Sequence, residues 1–579
     1  MDNLIGLDID KEDNRIVFTG NTYPLKDVIK QAGAYWNPDR KRWECNFNTI
    51  KVKNIVNILN EKGILVSITE DLKDMLHNKI VDDSYLKLLK HPPYPYQKEG
   101  IEFLYQVEKG VLADEPGLGK TFQVIASYLL ISQKEPANML IFCPSAVKEQ
   151  WKNEFDKFYN SNDVEVVKGS KTERQEIYHS GKKILILNYE LLHKDIEDLI
   201  TFNPYILVMD EASKVKNRKS KVNKNLYNLV KETKPKYIWA LTGTPLENRL
   251  EELYAVFKIV DEDIFGYWKD FERDYILYDI YKHSYLNFPI KNIVGYKNLN
   301  KLKKITNLVV KRRRIEDVLD EIPPIVENMR MIEFGEKQFL IYRNYASILE
   351  SMIDDYVKHE GKISKVTILS ELNVLKMICD STELLTISES PNANLIKIDN
   401  IYSSKLEDLD TILEEEDRKT LIFTEYSKMA RIIVRHLNEK QIKGEIEKDI
   451  RIFLLTGEEN NDERQKIIDE ANNSEKAILV STDCMAYGVN LQTFNVVVNF
   501  DIPWNPAKLR QRIGRVYRIG QKKHVTVFNM IVKNSVEENI LNKLYNKKLL
   551  FENVVDDESS DDKFVISKFS IEDIKGLLI

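Results

Sequence analysis

A glycine-rich stretch closed by a lysine and a threonine, Leu112-Ala-Asp-Glu-Pro-Gly-Leu-Gly-Lys-Thr121, has the residue types that hold a nucleotide's phosphates. It follows the apolar run Gly110-Val-Leu-Ala113, so a strand should feed a tight turn that opens onto a helix. That geometry aims backbone N–H groups and the helix N-terminus at phosphate oxygens. Lys120 would reach the outer phosphates, Thr121 would ligate magnesium, and Gly117 and Gly119 would permit the close backbone approach. The generic pattern places a glycine where Asp114 stands, and an ordinary glycine-rich turn before a helix is the competing reading.

Two adjacent carboxylates end the apolar run Tyr205-Ile-Leu-Val-Met209, whose continuous character suits a buried parallel strand. An α/β ATPase places its chemistry at the carboxyl ends of such strands. Asp210 is assigned to magnesium and Glu211 to orienting and polarising the attacking water. A third block, Gln511-Arg-Ile-Gly-Arg-Val-Tyr-Arg518, sets Arg515 and Arg518 three apart, on one face if the segment is helical. Arginines so placed can offset charge developing on a transferred phosphoryl group. A solvated basic face is the bland alternative. Together the blocks imply a two-lobed, nucleotide-driven motor.

From Tyr94-Pro-Tyr-Gln-Lys-Glu-Gly-Ile-Glu-Phe-Leu104 onward the chain resembles the Swi/Snf helicase-like ATPases of helicase superfamily two. Gln97 and the phosphate loop are followed, in the family's order, by Phe142-Cys-Pro-Ser145 with Gln150-Trp151, Leu187-Asn-Tyr-Glu190, Asp210-Glu-Ala-Ser213 and Leu241-Thr-Gly-Thr-Pro245. Lys311-Arg-Arg-Arg314 with Glu321-Ile-Pro-Pro324, Leu421-Ile-Phe-Thr424, Ser481-Thr482, Gly488-Val-Asn-Leu-Gln492 and Pro503-Trp-Asn-Pro506 lead into Gln511 to Gln521. The resemblance implies that Gln97 reads the adenine of ATP and that Gly488 belongs to the nucleotide site. It implies that Thr242, Thr244 and Gln511 couple hydrolysis to lobe movement, and that Ser145, Ser481 and Thr482 lie near the nucleic-acid backbone. Two departures stand out: Ser213 replaces a histidine common after Asp-Glu-Ala, and Ile315 stands where a lysine is frequent.

Elements that could position these groups are visible as apolar runs. Met139–Phe142, Ile184–Leu187, Tyr205–Met209 and Tyr237–Ala240 alternate with amphipathic stretches, as in a parallel sheet. A second series runs through Thr420–Phe423, Ile452–Leu455, Ala477–Val480, Val496–Val498 and Val525–Phe528. The expected fold is therefore α/β, with two RecA-like parallel-sheet lobes, helical insertions and a small α+β amino-terminal module. The expected boundaries are 1–75 for the module, 91–330 for the ATP-binding lobe, 331–400 for a helical protrusion and 401–550 for the second lobe. Residues 551–579 read as an acidic linker and a final helix from Phe564. Residues from about 261 to 400 read as mostly helical. There Phe339, Tyr342, Tyr345, Ile348, Leu349, Met352 and Tyr356 recur at helical spacing, as a core stripe or a nucleic-acid platform.

In the amino-terminal module, Ile16–Phe18 and Arg42–Phe47 read as strands and Pro24–Ala32 as a helix. Gly33-Ala-Tyr-Trp-Asn-Pro-Asp-Arg-Lys-Arg-Trp43 resembles the HARP modules of annealing helicases. Trp43 reads as core, while Arg40, Lys41 and Arg42 could contact phosphates. Every nucleotide-contacting motif begins at or after Gln97, so this module is expected to be separable from hydrolysis.

The length of 579 residues suggests about three to four compact units, and 43% hydrophobic with 30% charged residues is a soluble globular composition. A net charge of −6 does not itself suggest DNA, but a motor needs basic residues only along its track. The runs Lys214–Lys221 and Lys301–Arg314 are either that track or solvated surface. Four dispersed cysteines without paired spacing fit a reducing compartment and no zinc module. No secretory start and no membrane-length stretch is present, so a cytoplasmic protein is expected. The leading expectation is a magnesium- and ATP-dependent translocase on double-stranded or branched DNA, monomeric in its basic activity. A nucleotide-switched DNA-binding protein and an RNA-dependent helicase are its rivals.

Overall fold

The computed structural model describes residues 4–541 and 563–565, apart from the short segments 48, 78–80, 82, 160–161, 244–248, 282–289, 319–322, 359–363, 417 and 484–489. Residues 1–314 with the strand Lys563–Val565 form one unit, and the chain from Ile315 forms a second.

The first unit is built on a seven-stranded parallel sheet. Its strands lie in the order Val310–Lys311, Lys109–Leu112, Tyr237–Leu241, Ile206–Asp210, Met139–Cys143, Ile184–Asn188 and Val164–Val166. Every residue of Met139–Cys143 and Tyr237–Leu241 is buried, which is why these runs are continuously apolar rather than alternating. Register fixes where the loops emerge. Leu112 pairs with Leu241 and Leu241 with Asp210, while Met209 pairs with Phe142. The phosphate loop, Thr242, Glu211 and Ser145 therefore all leave one edge of the sheet, the carboxyl edge where α/β folds build their sites.

Residues 4–77 add a five-stranded sheet in the order Tyr35–Asn37, Arg42–Asn46, Arg15–Gly20, Leu4–Asp10 and Leu65–Ile68. Leu4–Asp10 alternates buried with half-exposed positions, so one face packs on helices Lys26–Gln31, Thr49–Glu61 and Glu70–His77 through Ile5, Leu7, Ile55 and Leu59. Trp43 is 6% exposed and joins that core, as expected. Trp36 meets it edge-on at 5.8 Å and stays 46% exposed.

Residues 261–400 are less uniformly helical than the sequence suggested. Ile276–Tyr281 and Ile290–Lys297 pair antiparallel, and Lys563–Val565 joins them. Phe564, expected to open a helix, lies in this strand opposite Tyr296; the remainder of that expected helix, like the acidic tract, is outside the described residues.

The second unit carries a six-stranded parallel sheet: Ile325–Ile332, Val525–Val532, Val496–Asn499, Thr420–Thr424, Ala477–Thr482 and Arg451–Leu455. Ile325–Ile332 was hidden in the sequence because Glu327, Asn328 and Arg330 interrupt its apolar pattern, as an edge strand allows. Beside the sheet, helix Glu336–Lys358 buries Tyr342, Tyr345, Leu349 and Ile353 against Ile368, Leu372 and Leu375 of helix Lys365–Asp380. The aromatic stripe is thus core along most of its length, with Phe339 partly exposed.

Candidate active site

The phosphate loop joins Lys109–Leu112 to helix Lys120–Ser132. Gly117 and Gly119 take φ of 98° and 73°, which a side chain would strain, and Gly119 caps the helix. Lys120 Nζ donates to the carbonyls of Asp114 at 2.6 Å and Glu115 at 3.2 Å, so its charge is held inside the loop's own curve. Thr121 lies in the first helical turn. Gln97 closes the other side: its Nε2 donates to Leu118 O at 3.3 Å, and its Oε1 accepts from Tyr94 N at 3.1 Å at the start of helix Pro95–Val107.

Asp114, the departure from the generic loop, is fully buried. Its carboxylate accepts from Arg313 Nε at 2.9 Å and Nη2 at 2.6 Å, and from Gln123 Nε2 at 3.0 Å. Arg312 donates to Ala113 O and Gly243 O, both at 3.2 Å, linking the loop to the segment after Thr242. Arg312 and Arg313, near the end of the basic run Lys301–Arg314, therefore lock the phosphate loop. A side chain at Gly100 would collide with Gln123 and Arg313, which explains a glycine inside that helix.

Asp210 ends its strand with Oδ2 accepting from Trp151 Nε1 at 2.8 Å and Oδ1 accepting from Glu211 N at 2.9 Å. Tyr189 Oη donates to Asp210 O at 2.8 Å. Glu211 occupies the left-handed region at φ 54°, a strained conformation for a glutamate of the kind concentrated at functional sites. Ser213, where the family pattern has histidine, donates its hydroxyl to Glu211 Oε1 at 2.9 Å. Thr242 is buried, its N–H donating to Leu112 O at 3.2 Å. Ser145 is exposed at the start of a short turn of helix. Burial, with Asp210 next, pushes the nearby Cys143 thiol well up and leaves it a packing group. Thr244 lies outside the described residues.

In the second unit, Ser481 and Thr482 end the strand Ala477–Thr482 and are buried; Thr482 Oγ1 donates to Thr456 O at 2.9 Å. Gln511 lies in helix Pro506–Ile513, and here the structure corrects the sequence reading. That helix ends at Ile513 with Gly514 as its cap, so Arg515 and Arg518 sit in a following turn rather than on one helical face. The turn is held from below. Gln521 Nε2 donates to Phe494 O at 3.0 Å and Val516 O at 3.2 Å, and Leu491 N donates to Arg515 O at 3.1 Å.

Arg512, not singled out from sequence, is fully buried beneath that turn. It donates to Asp483 Oδ1 at 2.7 Å and Asp501 O at 2.9 Å. Burial opposes its charge, but Asp501 and Asp483 outweigh it and raise its pKa. Burial likewise opposes ionisation of Asp501, and Lys376, Arg512 and Lys405 overcome it, holding that carboxyl below the usual aspartate range. Gly488 lies outside the described residues.

The amino-terminal basic trio is engaged inside its own module. Arg40 pairs with Asp10 and Asp13, and Arg42 pairs with Asp10 and Glu44, both at 2.6 Å. Lys41 is exposed at φ 49°. Among the described residues no helix is long and apolar enough to cross a membrane, and no group of three or more His, Cys, Asp or Glu could hold a metal by itself.

The profile of the SNF2-related domain matches residues 96–384, and that of the helicase conserved C-terminal domain matches residues 404–520. The chain is 28% identical over 504 residues to the uncharacterized ATP-dependent helicase MG018 of Mycoplasma genitalium, covering 85% of this chain and 44% of that one. It is 31% identical over 481 residues to the SWI/SNF-related matrix-associated actin-dependent regulator of chromatin subfamily A member 1 of Mus musculus, covering 80% and 43%. Among solved structures it is similar to the Sulfolobus solfataricus SWI2/SNF2 ATPase core in complex with dsDNA, at 27% identity and a TM-score of 0.37, covering 85% and 97%. The chain spans about half the length of the curated relatives it matches.

Proposed function

The chain belongs to the SNF2-related ATPases with a helicase-type second lobe, and from that membership we propose an ATP-driven translocase on double-stranded DNA. The observation that carries this reading is the common sheet edge at which the phosphate loop, Asp210, Glu211 and Thr242 emerge.

In the proposed mechanism Gln97, beside Leu118, reads the adenine, and the loop amides with Lys120 hold the phosphates. Thr121 and Asp210 offer the hydroxyl and carboxylate oxygens that suit magnesium, which takes one or two protein carboxylates together with substrate phosphates. When bound, that ion neutralises charge on the phosphate oxygens. Glu211, oriented by the Ser213 hydroxyl, positions the water that attacks the terminal phosphorus as its bond to the bridging oxygen breaks. Arg515 and Arg518 offset the charge that develops on the transferred group, and Gly488 completes the nucleotide site. Thr242, Thr244 and Gln511 pass the change between lobes, and Ser145, in a short helical turn, with Ser481 and Thr482, at a strand end, are read as the groups nearest the track.

The finer reading is action on branched or protein-bound DNA, in the manner of annealing helicases. It is supported by the likeness of residues 33–43 to HARP modules, with Arg40 and Lys41 exposed and the two arginines of the trio engaged in internal ion pairs. Hydrolysis measured without nucleic acid, then with linear duplex, single strand, fork, four-way junction and RNA duplex, tests both levels. Strong stimulation by linear DNA duplex and not by RNA duplex is expected, with fork or junction exceeding linear DNA if the finer reading holds. Turnover indifferent to DNA would instead identify a nucleotide-switched binder.

A further inference from the structure

The amino-terminal module, expected from sequence to be separable, is joined to the nucleotide-binding unit by one buried and several part-buried polar contacts. Lys51 Nζ donates to Asp261 Oδ2 at 3.1 Å, with the two side chains 5% and 3% exposed. Asn46 Nδ2 donates to the other oxygen of Asp261 at 2.6 Å, and Arg15 pairs with Asp263 at 3.0 Å. Asn14 Nδ2 donates to Glu108 Oε2 at 3.1 Å. Helix Thr49–Glu61 packs on helix Pro95–Val107. A surface meant to slide or detach would not bury an ammonium and a carboxylate, because desolvating both is costly unless their geometry is fixed.

The two anchor points flank the candidate nucleotide site. Glu108, at φ 58° and ψ −52°, lies between the helix that carries Gln97 and the strand that enters the phosphate loop. Asp261 caps helix Leu250–Val260. That helix is tied to the turn after Glu211, since Asn223 Nδ2 donates both to Ala255 O at 3.2 Å and to Val215 O at 2.7 Å.

We propose that the amino-terminal module is a brace of the ATP site, with Asn14, Asn46 and Lys51 as positioning residues that set the placement of Gln97 and the phosphate loop. This rests on the reading of that loop as the ATP site. The brace acts on ground-state nucleotide binding, so its loss raises KM for ATP while leaving kcat at saturation nearly unchanged.

The test uses the full chain. Asn14 has φ 53°, so Asn14→Gly suits that backbone and removes the amide; Lys51→Met keeps the stem and removes the charge; Lys51→Arg is the conservative control. With one or two hydrogen bonds at stake, KM for ATP should rise about three- to tenfold in the first two variants, with kcat on duplex DNA within about twofold and Lys51→Arg near wild type. Without nucleotide, amide exchange should quicken in residues 95–112 and stay unchanged in Thr420–Thr424. Unchanged KM and exchange in folded Asn14→Gly overturn the brace, as does a loss confined to kcat or DNA stimulation. If Lys51→Met fails to fold, Asn14→Gly decides alone. Wild-type protein that neither binds nor hydrolyses ATP would sink the site assignment itself, a distinguishable outcome.

Discussion

Asp114 and Glu211 show how differently two carboxylates can serve one loop system. Glu211 is held at the sheet edge by a strained backbone and a serine hydroxyl, so its replacement by glutamine removes charge without removing shape. Hydrolysis should fall about 10²- to 10⁴-fold while ATP binding persists, as steady-state turnover and direct nucleotide titration would reveal. Asp114 is structural. Arg313→Ala would leave it buried without its guanidinium, an effect of about 3–5 kcal/mol, measurable as a lowered denaturation midpoint of the first unit. The loop and the carboxylate pair were legible because their strands are level on one sheet. The Asp114–Arg313 lock was not, since 199 positions separate the two and neither side's pattern names the other. The departure of Asp114 from glycine was the available clue: a buried carboxylate in such a loop requires a cation.

At the scale of elements, the parallel sheets were readable from continuous apolar runs, whereas the turn carrying Arg515 and Arg518 was not. Three-residue spacing fits a helix face, but Gly514 ends the helix first and the turn's shape depends on Gln521, Gln492 and Arg512 beneath it. Arg512→Met should preserve the apolar stem while leaving Asp501 and Asp483 without their guanidinium. We expect a drop in DNA-stimulated kcat with little change in ATP affinity, seen by comparing saturation curves. Because Asp501 is held below its unfolded value, its contribution to stability is fully present above the ordinary aspartate range and is lost as pH falls through the lowered value. Only acid below the ordinary aspartate range should therefore loosen wild type at this site, and Arg512→Met should loosen at higher pH, because Asp501 has lost a charge that kept it ionised.

For the molecule as a whole, the strand Ile325–Ile332 has a consequence in time. Its eight residues pair in register with Val525–Val532, so the edge of the second sheet waits for a neighbour made 200 positions later. Synthesis at about 5–20 residues per second makes that wait about 10 to 40 s. Until then Val326, Met329 and Met331, exposed even in the finished protein, belong to a strand with no ladder at all, a template for pairing with other chains. A chain ended at Lys523 would never supply the partner and should collect in the insoluble fraction, whereas the full chain stays in solution. Nascent second units are thus the form in which this protein is most exposed to aggregation, and holding factors at the ribosome exit would meet it there rather than after release.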